Sequence, residues 1–113
     1  LVYMAPEQMV DAKRAGAPAD VFSLGVMLYA TLTGEAPFKG KTGEVVAIKE
    51  AMFAGARVPP APAERLVDCP AVLDSLCVRC MAGLPDERPT ALEVAHTLAR
   101  VITARADAPT RRL

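Results

Sequence analysis

A chain of 113 residues that is 52% hydrophobic has enough apolar material for the core of one ordinary domain. Thirteen basic side chains balance thirteen acidic ones, which excludes the general electrostatic attraction of a strongly basic chain to nucleic acids or anionic membranes. With three Phe, two Tyr and no Trp, the core must come from Leu, Val, Ala and Met, a composition that favours packed helices over sheets.

Residues 21–33 form the longest apolar stretch, and this stretch carries no charge. It is shorter than the roughly 20 residues that cross a bilayer, so we expect a buried core helix and no membrane segment here. The chain opens without a charged-then-apolar leader, and its three cysteines cannot all pair. A secreted disulfide scaffold is therefore not expected, and the cytoplasm is the expected location.

Proline and glycine mark the first two predicted helices. Pro6 occupies a favoured first-turn position and predicts a short helix over residues 5–10. Pro18 begins a long helix that runs to Thr33 and ends at Gly34 in a left-handed cap. Because apolar side chains point in every direction around this second helix, we expect protein to surround it.

A third helix is predicted over residues 44–53 by the spacing of its apolar side chains. Val45, Ile48 and Met52 share one face of it, and Gly55 follows its end.

A proline-rich connector leads to the fourth predicted helix. Residues 57–62 have too few backbone donors for a helix or a sheet and are expected to be extended. The fourth helix starts at Pro70 and ends before Gly83. Its apolar stripe comprises Leu73, Leu76, Cys77, Cys80 and Met81.

The fifth helix has the clearest start in the chain, because Thr90 and Glu93 form the capping-box pattern. Its buried face is predicted to comprise Ala91, Ala95, Leu98 and Ile102. We expect the helix to reach Arg105 and residues 106–113 to form a tail or linker. No strand is predicted, so the expected fold is all-α.

Three short motifs occur in an informative order: Ala5-Pro6-Glu7, then Asp20-Val21-Phe22-Ser23-Leu24-Gly25, then Arg88-Pro89. Their order and spacing resemble the second half of a protein kinase catalytic domain. The resemblance covers residues 1–105 and implies a helical fragment of the kinase large lobe, or C-lobe. Such a fragment has a short helix, a long buried central helix and then three amphipathic helices.

The resemblance also implies structural roles for single residues. Glu7 matches the A-P-E glutamate and Arg88 the P-x-x-R-P arginine, and these two residues form a buried ion pair in the family. Asp20 matches the aspartate that holds the backbone of the catalytic loop, with Gly25 in place in the same segment. Apart from the resemblance, Asp20 lies in the first turn of an apolar helix, so it is expected to be a buried carboxylate that needs donors. The alternative is that it caps its own helix.

Residues before the A-P-E triplet belong, by the same resemblance, to the loop that contacts the substrate residue just after the phosphoacceptor. They are Leu1, Val2, Tyr3 and Met4. The string from Tyr3 to Gln8 is typical of Ser/Thr kinases, particularly bacterial ones, so the implied specificity is for Ser and Thr.

Val46-Ala47-Ile48-Lys49 spells the V-A-I-K string that carries the ATP-anchoring lysine of kinases, but its context is wrong. That motif requires a strand after a Gly-rich loop. Here the string lies on a predicted amphipathic helix with no such loop before it. We therefore expect Lys49 not to bind nucleotide.

Cys77-Val78-Arg79-Cys80 has the spacing of a zinc or redox pair. A tetrahedral zinc site needs four ligands, and the further candidates are only Cys69 and His96. Both paired cysteines also lie on the apolar stripe of their helix, where a free cysteine behaves as a small hydrophobic residue. Core packing is therefore the prediction for them, and solvent exposure for His96.

The resemblance implies a parent enzyme that transfers the γ-phosphate of ATP, with Mg²⁺, to serine or threonine of a protein substrate. The chain itself contains no Gly-rich loop, strand lysine, H-R-D aspartate with its downstream asparagine, or D-F-G aspartate. No catalytic, cofactor-binding or metal-binding residue is thus assigned, and the fragment is expected to be inactive alone. Its expected partners are the protein substrate and the missing N-terminal part of the kinase domain.

Two other functions remain open on the sequence. One is a pseudokinase that keeps the scaffold without activity. The other is a stand-alone helical module that binds a protein in a groove beside Val45, Ile48 and Met52.

Overall fold

A computed structural model describes residues 2–14 and 16–107, and these residues form five α-helices and three short 3₁₀ turns. The described ranges contain no strand, and the all-α prediction is confirmed. The α-helices are α1 (Pro6–Val10), α2 (Ala17–Thr33), α3 (Thr42–Phe53), α4 (Ala71–Cys80) and α5 (Ala91–Asp107). The 3₁₀ turns are Ala12–Arg14, Pro62–Glu64 and Pro85–Glu87. Leu1 and most of the predicted tail, residues 108–113, lie outside the described residues.

Helix α2 has the ends that its proline and glycine predict. Pro18 lies in its first turn, after Gly16 in an extended conformation. Gly34 ends it with φ = 75°, a left-handed conformation that glycine adopts without a steric penalty. The predicted capping box of α5 is also confirmed, because the Glu93 amide donates to Thr90 Oγ1 and the Thr90 amide to Glu93 Oε1.

The main core lies between α2, α3 and α4. Phe22 of α2 stacks on Phe38 of the following loop, with ring centroids 6.0 Å apart. Val45 and Met52 of α3 are buried in the same cluster, so the predicted apolar face of α3 is confirmed. Four side chains of α4 and of the residue that follows it are buried against α2 or α3: Leu76, Cys77, Cys80 and Met81.

One face of α2 is open, so the described residues surround this helix on its other sides only. Asp20, Leu24, Met27 and Thr31 follow one another at helical spacing, and all four are exposed. Leu24 and Met27 are 41% and 53% exposed. The reason is that the other described elements pack on the opposite side of α2. We refer to these four residues as the open face of α2.

The buried face of α5 also differs from the predicted one. Val94 is 6% exposed, whereas Ile102 is 67% exposed, and Ala91 and Ala95 are exposed as well. Of the predicted set, Leu98 alone packs on the core. Helix α5 has apolar residues on two sides, and the side that contains Val94 meets Val21, Leu76 and Cys80.

In the described part of the chain, no helix combines the length and the hydrophobicity that a bilayer span requires.

Candidate functional site

The A-P-E triplet is buried at the start of α1. Ala5 is 0% exposed and Glu7 is 2% exposed. Pro6 is the first residue of the helix, and the Ala5 amide donates to Gln8 Oε1 over 2.9 Å. The local sequence therefore fixes the direction in which the Glu7 side chain leaves the helix.

Glu7 meets Arg88 although the two residues are 81 positions apart. Arg88 Nη1 lies 2.7 Å from Glu7 Oε2, and Nη2 lies 2.8 Å from Oε1, so the ion pair is bidentate. Both side chains are almost fully buried. Burial raises the pKa of Glu7, but the hydrogen bonds and the charge of Arg88 outweigh this effect, and the pKa lies below its ordinary value.

The remaining N–H groups of Arg88 are also bound. Nε donates to Ala82 O over 2.8 Å, Nη1 to Pro18 O over 3.0 Å and Nη2 to Gly83 O over 3.4 Å. The guanidinium carbon lies 5.0 Å from the centroid of the Phe22 ring. All five donors are thereby used, and the side chain joins α1, the start of α2 and the segment after α4.

The segment that precedes the triplet is held by its backbone. Lys49 Nζ donates to Val2 O over 2.9 Å and to Met4 O over 2.6 Å. Ser23 Oγ donates to Tyr3 O over 2.9 Å. The Tyr3 and Met4 side chains are 52% and 38% exposed. Residues 2–4 thus present two large side chains while helices α2 and α3 hold three successive carbonyl groups.

Lys49 was missed by the sequence analysis as a residue of this site. It is 0% exposed, and its Nζ lies 5.5 Å and 5.0 Å from the ring centroids of Phe22 and Phe38. Burial lowers its pKa to about 8. The signal was present in the spacing, because Lys49 lies four residues after Val45 and three before Met52, on the apolar face of α3.

Asp20 lies on the open face of α2 and is exposed, so the described residues do not bury its carboxylate. The alternative prediction was that Asp20 caps its own helix. The N-cap residue of α2 is Gly16, which has no side chain to form a capping hydrogen bond.

Gly25 lies at a close contact between α2 and the end of α4. A Cβ atom at this position would be 2.7 Å from Cys80 Cβ and 2.8 Å from Met81 Cγ. Cys77 Sγ contacts Gly25 O over 3.4 Å. Glycine is required because any larger residue would separate the two helices.

Cys77 and Cys80 are buried in the core, as predicted. Burial raises the pKa of Cys77 to about 12 and that of Cys80 to about 11, so both remain thiols. Cys69 is partly exposed and His96 is exposed, as predicted for the histidine. Residues 2–14 and 16–107 contain no group of three or more side chains suited to a metal ion.

The chain is a helical scaffold that presents an exposed segment, residues 2–4. A buried Glu–Arg pair lies on one side of this segment in the sequence, and a buried lysine binds its carbonyl groups. The chain belongs to the protein kinase domain family, whose family model matches residues 1–98.

Bacterial kinases are among its relatives. The chain is 34% identical over 109 residues to serine/threonine-protein kinase A of Synechocystis, covering 96% of the chain and 20% of that protein. It is 38% identical over 109 residues to serine/threonine-protein kinase PknB of Mycolicibacterium smegmatis, covering 95% and 17%. It is 38% identical over 98 residues to tyrosine-protein kinase MasK of Myxococcus xanthus, covering 86% and 14%.

The chain therefore spans one fifth or less of the length of these relatives. The predicted resemblance to bacterial protein kinases is confirmed.

Proposed function

We propose that this chain is the C-terminal part of the large lobe of a protein Ser/Thr kinase, a cytoplasmic enzyme that phosphorylates proteins. In this proposal residues 1–105 belong to the kinase domain and residues 106–113 form a tail or linker. The observation that carries the proposal is the buried bidentate pair of Glu7 and Arg88. It anchors the end of the activation segment, and the exposed residues beside it receive the substrate.

ATP and Mg²⁺ do not fit the residues of this chain. Phosphoryl transfer in kinases needs a Gly-rich loop, a strand lysine, a catalytic aspartate and Mg²⁺ ligands, and the sequence has none of these motifs. Lys49 faces backbone carbonyls in the core. The parent enzyme thus binds ATP and Mg²⁺ through residues outside this chain, and the chain alone is inactive.

The open face of α2 is the surface that the N-terminal part of the kinase domain covers in this proposal. It combines an exposed carboxylate, Asp20, with two exposed apolar side chains, Leu24 and Met27. The Asp20 carboxylate then accepts hydrogen bonds from backbone amides of the catalytic loop. Leu24 and Met27 are buried beneath that loop. Asp20 then has the structural role that the family resemblance implies.

Substrate docking is assigned to residues 1–4, of which 2–4 are described. Tyr3 and Met4 expose apolar surface, and the charged side chain beneath them, Lys49, is buried and bound to carbonyls. This surface favours an apolar residue directly after the phosphoacceptor. Val45 and Met52 are buried, which leaves them unavailable to the alternative interaction module.

The experiment that tests this proposal is a phosphorylation assay of the full-length natural protein with labelled ATP, Mg²⁺ and a protein mixture. We expect phosphoserine and phosphothreonine, and no phosphorylation by the 113-residue chain alone. Phosphotyrosine as the main product would contradict the Ser/Thr specificity. A folded full-length protein without activity would support the pseudokinase alternative instead.

A further inference from the structure

Three successive carbonyl groups are held by two side chains from different helices. Lys49 of α3 binds the first and third, Val2 O and Met4 O, and Ser23 of α2 binds the second, Tyr3 O. The chain bends at Tyr3, and the donors come from two different helices, so residues 2–4 are restrained by both α2 and α3.

The position of Lys49 couples this backbone to the core. A buried ammonium group is unfavourable unless its N–H donors are bound. The two carbonyls bind it directly, and the faces of Phe22 and Phe38 lie within 5.5 Å. Movement of residues 2–4 away from α3 would remove two acceptors from a buried cation. The conformation of residues 2–4 is therefore tied to the packing of α3 on the core.

We propose that Lys49 is a positioning residue for substrate binding: it fixes the backbone of residues 2–4 so that Tyr3 and Met4 meet the substrate residue after the phosphoacceptor. The inference rests on the proposed docking function of that segment. Lys49 acts through the segment and touches neither the substrate nor a nucleotide.

The test uses the full-length natural protein and two fluorescent peptides that differ only after a central serine, which is followed by Leu in one and Asp in the other. The affinity for each peptide is measured by fluorescence anisotropy in the absence of ATP. A phosphorylation assay then gives kcat, the KM for the peptide and the KM for ATP. We expect Lys49→Met to weaken binding of the Leu peptide about tenfold, because two charge-assisted hydrogen bonds are lost. We expect kcat and the KM for ATP to remain within about twofold.

Two variants serve as controls. Lys41→Met removes an exposed lysine next to the start of α3 and should leave peptide affinity unchanged. Lys49→Arg keeps a cation with N–H donors and should recover most of the lost affinity. If Lys49→Met does not fold, Lys49→Gln replaces it, since its shorter side chain cannot reach both carbonyls, and the expected loss is similar.

The outcomes separate this inference from the proposed function. Active enzyme with unchanged peptide affinity in Lys49→Met, or in Lys49→Gln, overturns the inference alone. Equal losses in kcat, both KM values and thermal stability, not recovered by Lys49→Arg, also overturn it, because they indicate a purely structural residue. A wild-type protein whose affinity for the Leu peptide is weakened by Lys49→Met, but which transfers no phosphate, overturns the proposed activity and supports the positioning role.

Discussion

Arg88 uses every donor of a planar guanidinium group, and this property makes it irreplaceable by another cation. Its five N–H groups reach the Glu7 carboxylate and three backbone carbonyls. A lysine offers one nitrogen with three donors, so it cannot form the bidentate contact and bind the carbonyls as well.

We expect Glu7→Gln to lower the free energy of unfolding of the natural protein by about 3 to 5 kcal/mol, because it leaves the buried Arg88 charge without its partner. Arg88→Lys keeps the charge but loses the bidentate contact and leaves backbone carbonyls unbound, so we expect it to cost about 1 to 3 kcal/mol. The double variant should cost less than the sum of the two, since the residues act as a pair. Urea unfolding measures all three. Arg79→Lys is the matched control, because Arg79 is 51% exposed and 3.7 Å from Glu93, and the change should be below about 0.5 kcal/mol. Additive losses would contradict the pairing.

The same pair gives a defined pH dependence. The folded pKa of Glu7 lies below the unfolded value of about 4.3, so the folded state binds fewer protons in this range. The stabilisation is present above that unfolded value and is lost as pH falls through the folded pKa. Glu7→Gln removes this contribution, so the difference in stability between wild type and variant should shrink on acidification.

Helices α2 and α4 depend on Gly25 for their close approach. We expect Gly25→Ala to reduce stability by about 1 to 3 kcal/mol, because the new methyl group overlaps Cys80 and Met81. Gly43→Ala in α3 is the control: nothing lies within 4 Å of its added Cβ, and alanine favours a helix by about 0.5 to 1 kcal/mol. The midpoint of thermal unfolding should therefore fall in Gly25→Ala and rise in Gly43→Ala. An unchanged unfolding midpoint in Gly25→Ala would contradict the prediction, because it would show that the two helices can separate without a loss of stability.

Exposed large apolar side chains occur along much of the described chain, and two of them are neighbours on α2. Leu24 and Met27 of the open face lie beside each other on α2, whereas Val67, which is 97% exposed, lies apart from them in a loop. Adjacent exposed apolar side chains form a surface that binds hydrophobic dyes, whereas a single one does not.

We expect the 113-residue chain on its own to bind such a dye, to be poorly soluble and to unfold without a sharp transition. Replacing both Leu24 and Met27 by Gln should reduce dye fluorescence at least twofold and raise solubility, and Val67→Gln should change neither. In the full-length protein the same double substitution should instead lower the free energy of unfolding of the domain. The reason is that, in the proposed function, the N-terminal part of the kinase domain buries these two side chains. A sharp transition without dye binding by the isolated chain would contradict this prediction.

Helix positions followed from signals that act within a few residues. Pro18 and Gly34 marked α2, and Thr90 with Glu93 marked the start of α5, because caps and backbone preferences are local. The pairing of Glu7 with Arg88 was different: its residues are 81 positions apart, and the family resemblance, not the spacing, joined them.

Periodicity indicated which residues share a helix face, but the packing of the helices selected the face that became buried. Leu24 is exposed and Val94 is buried because α4 covers one side of α2 and one side of α5. Lys49 is the clearest case, since its carbonyl partners lie 45 and 47 positions away. Local preferences depend on neighbouring residues and can be read along the chain, whereas burial and long-range hydrogen bonds depend on which distant elements meet.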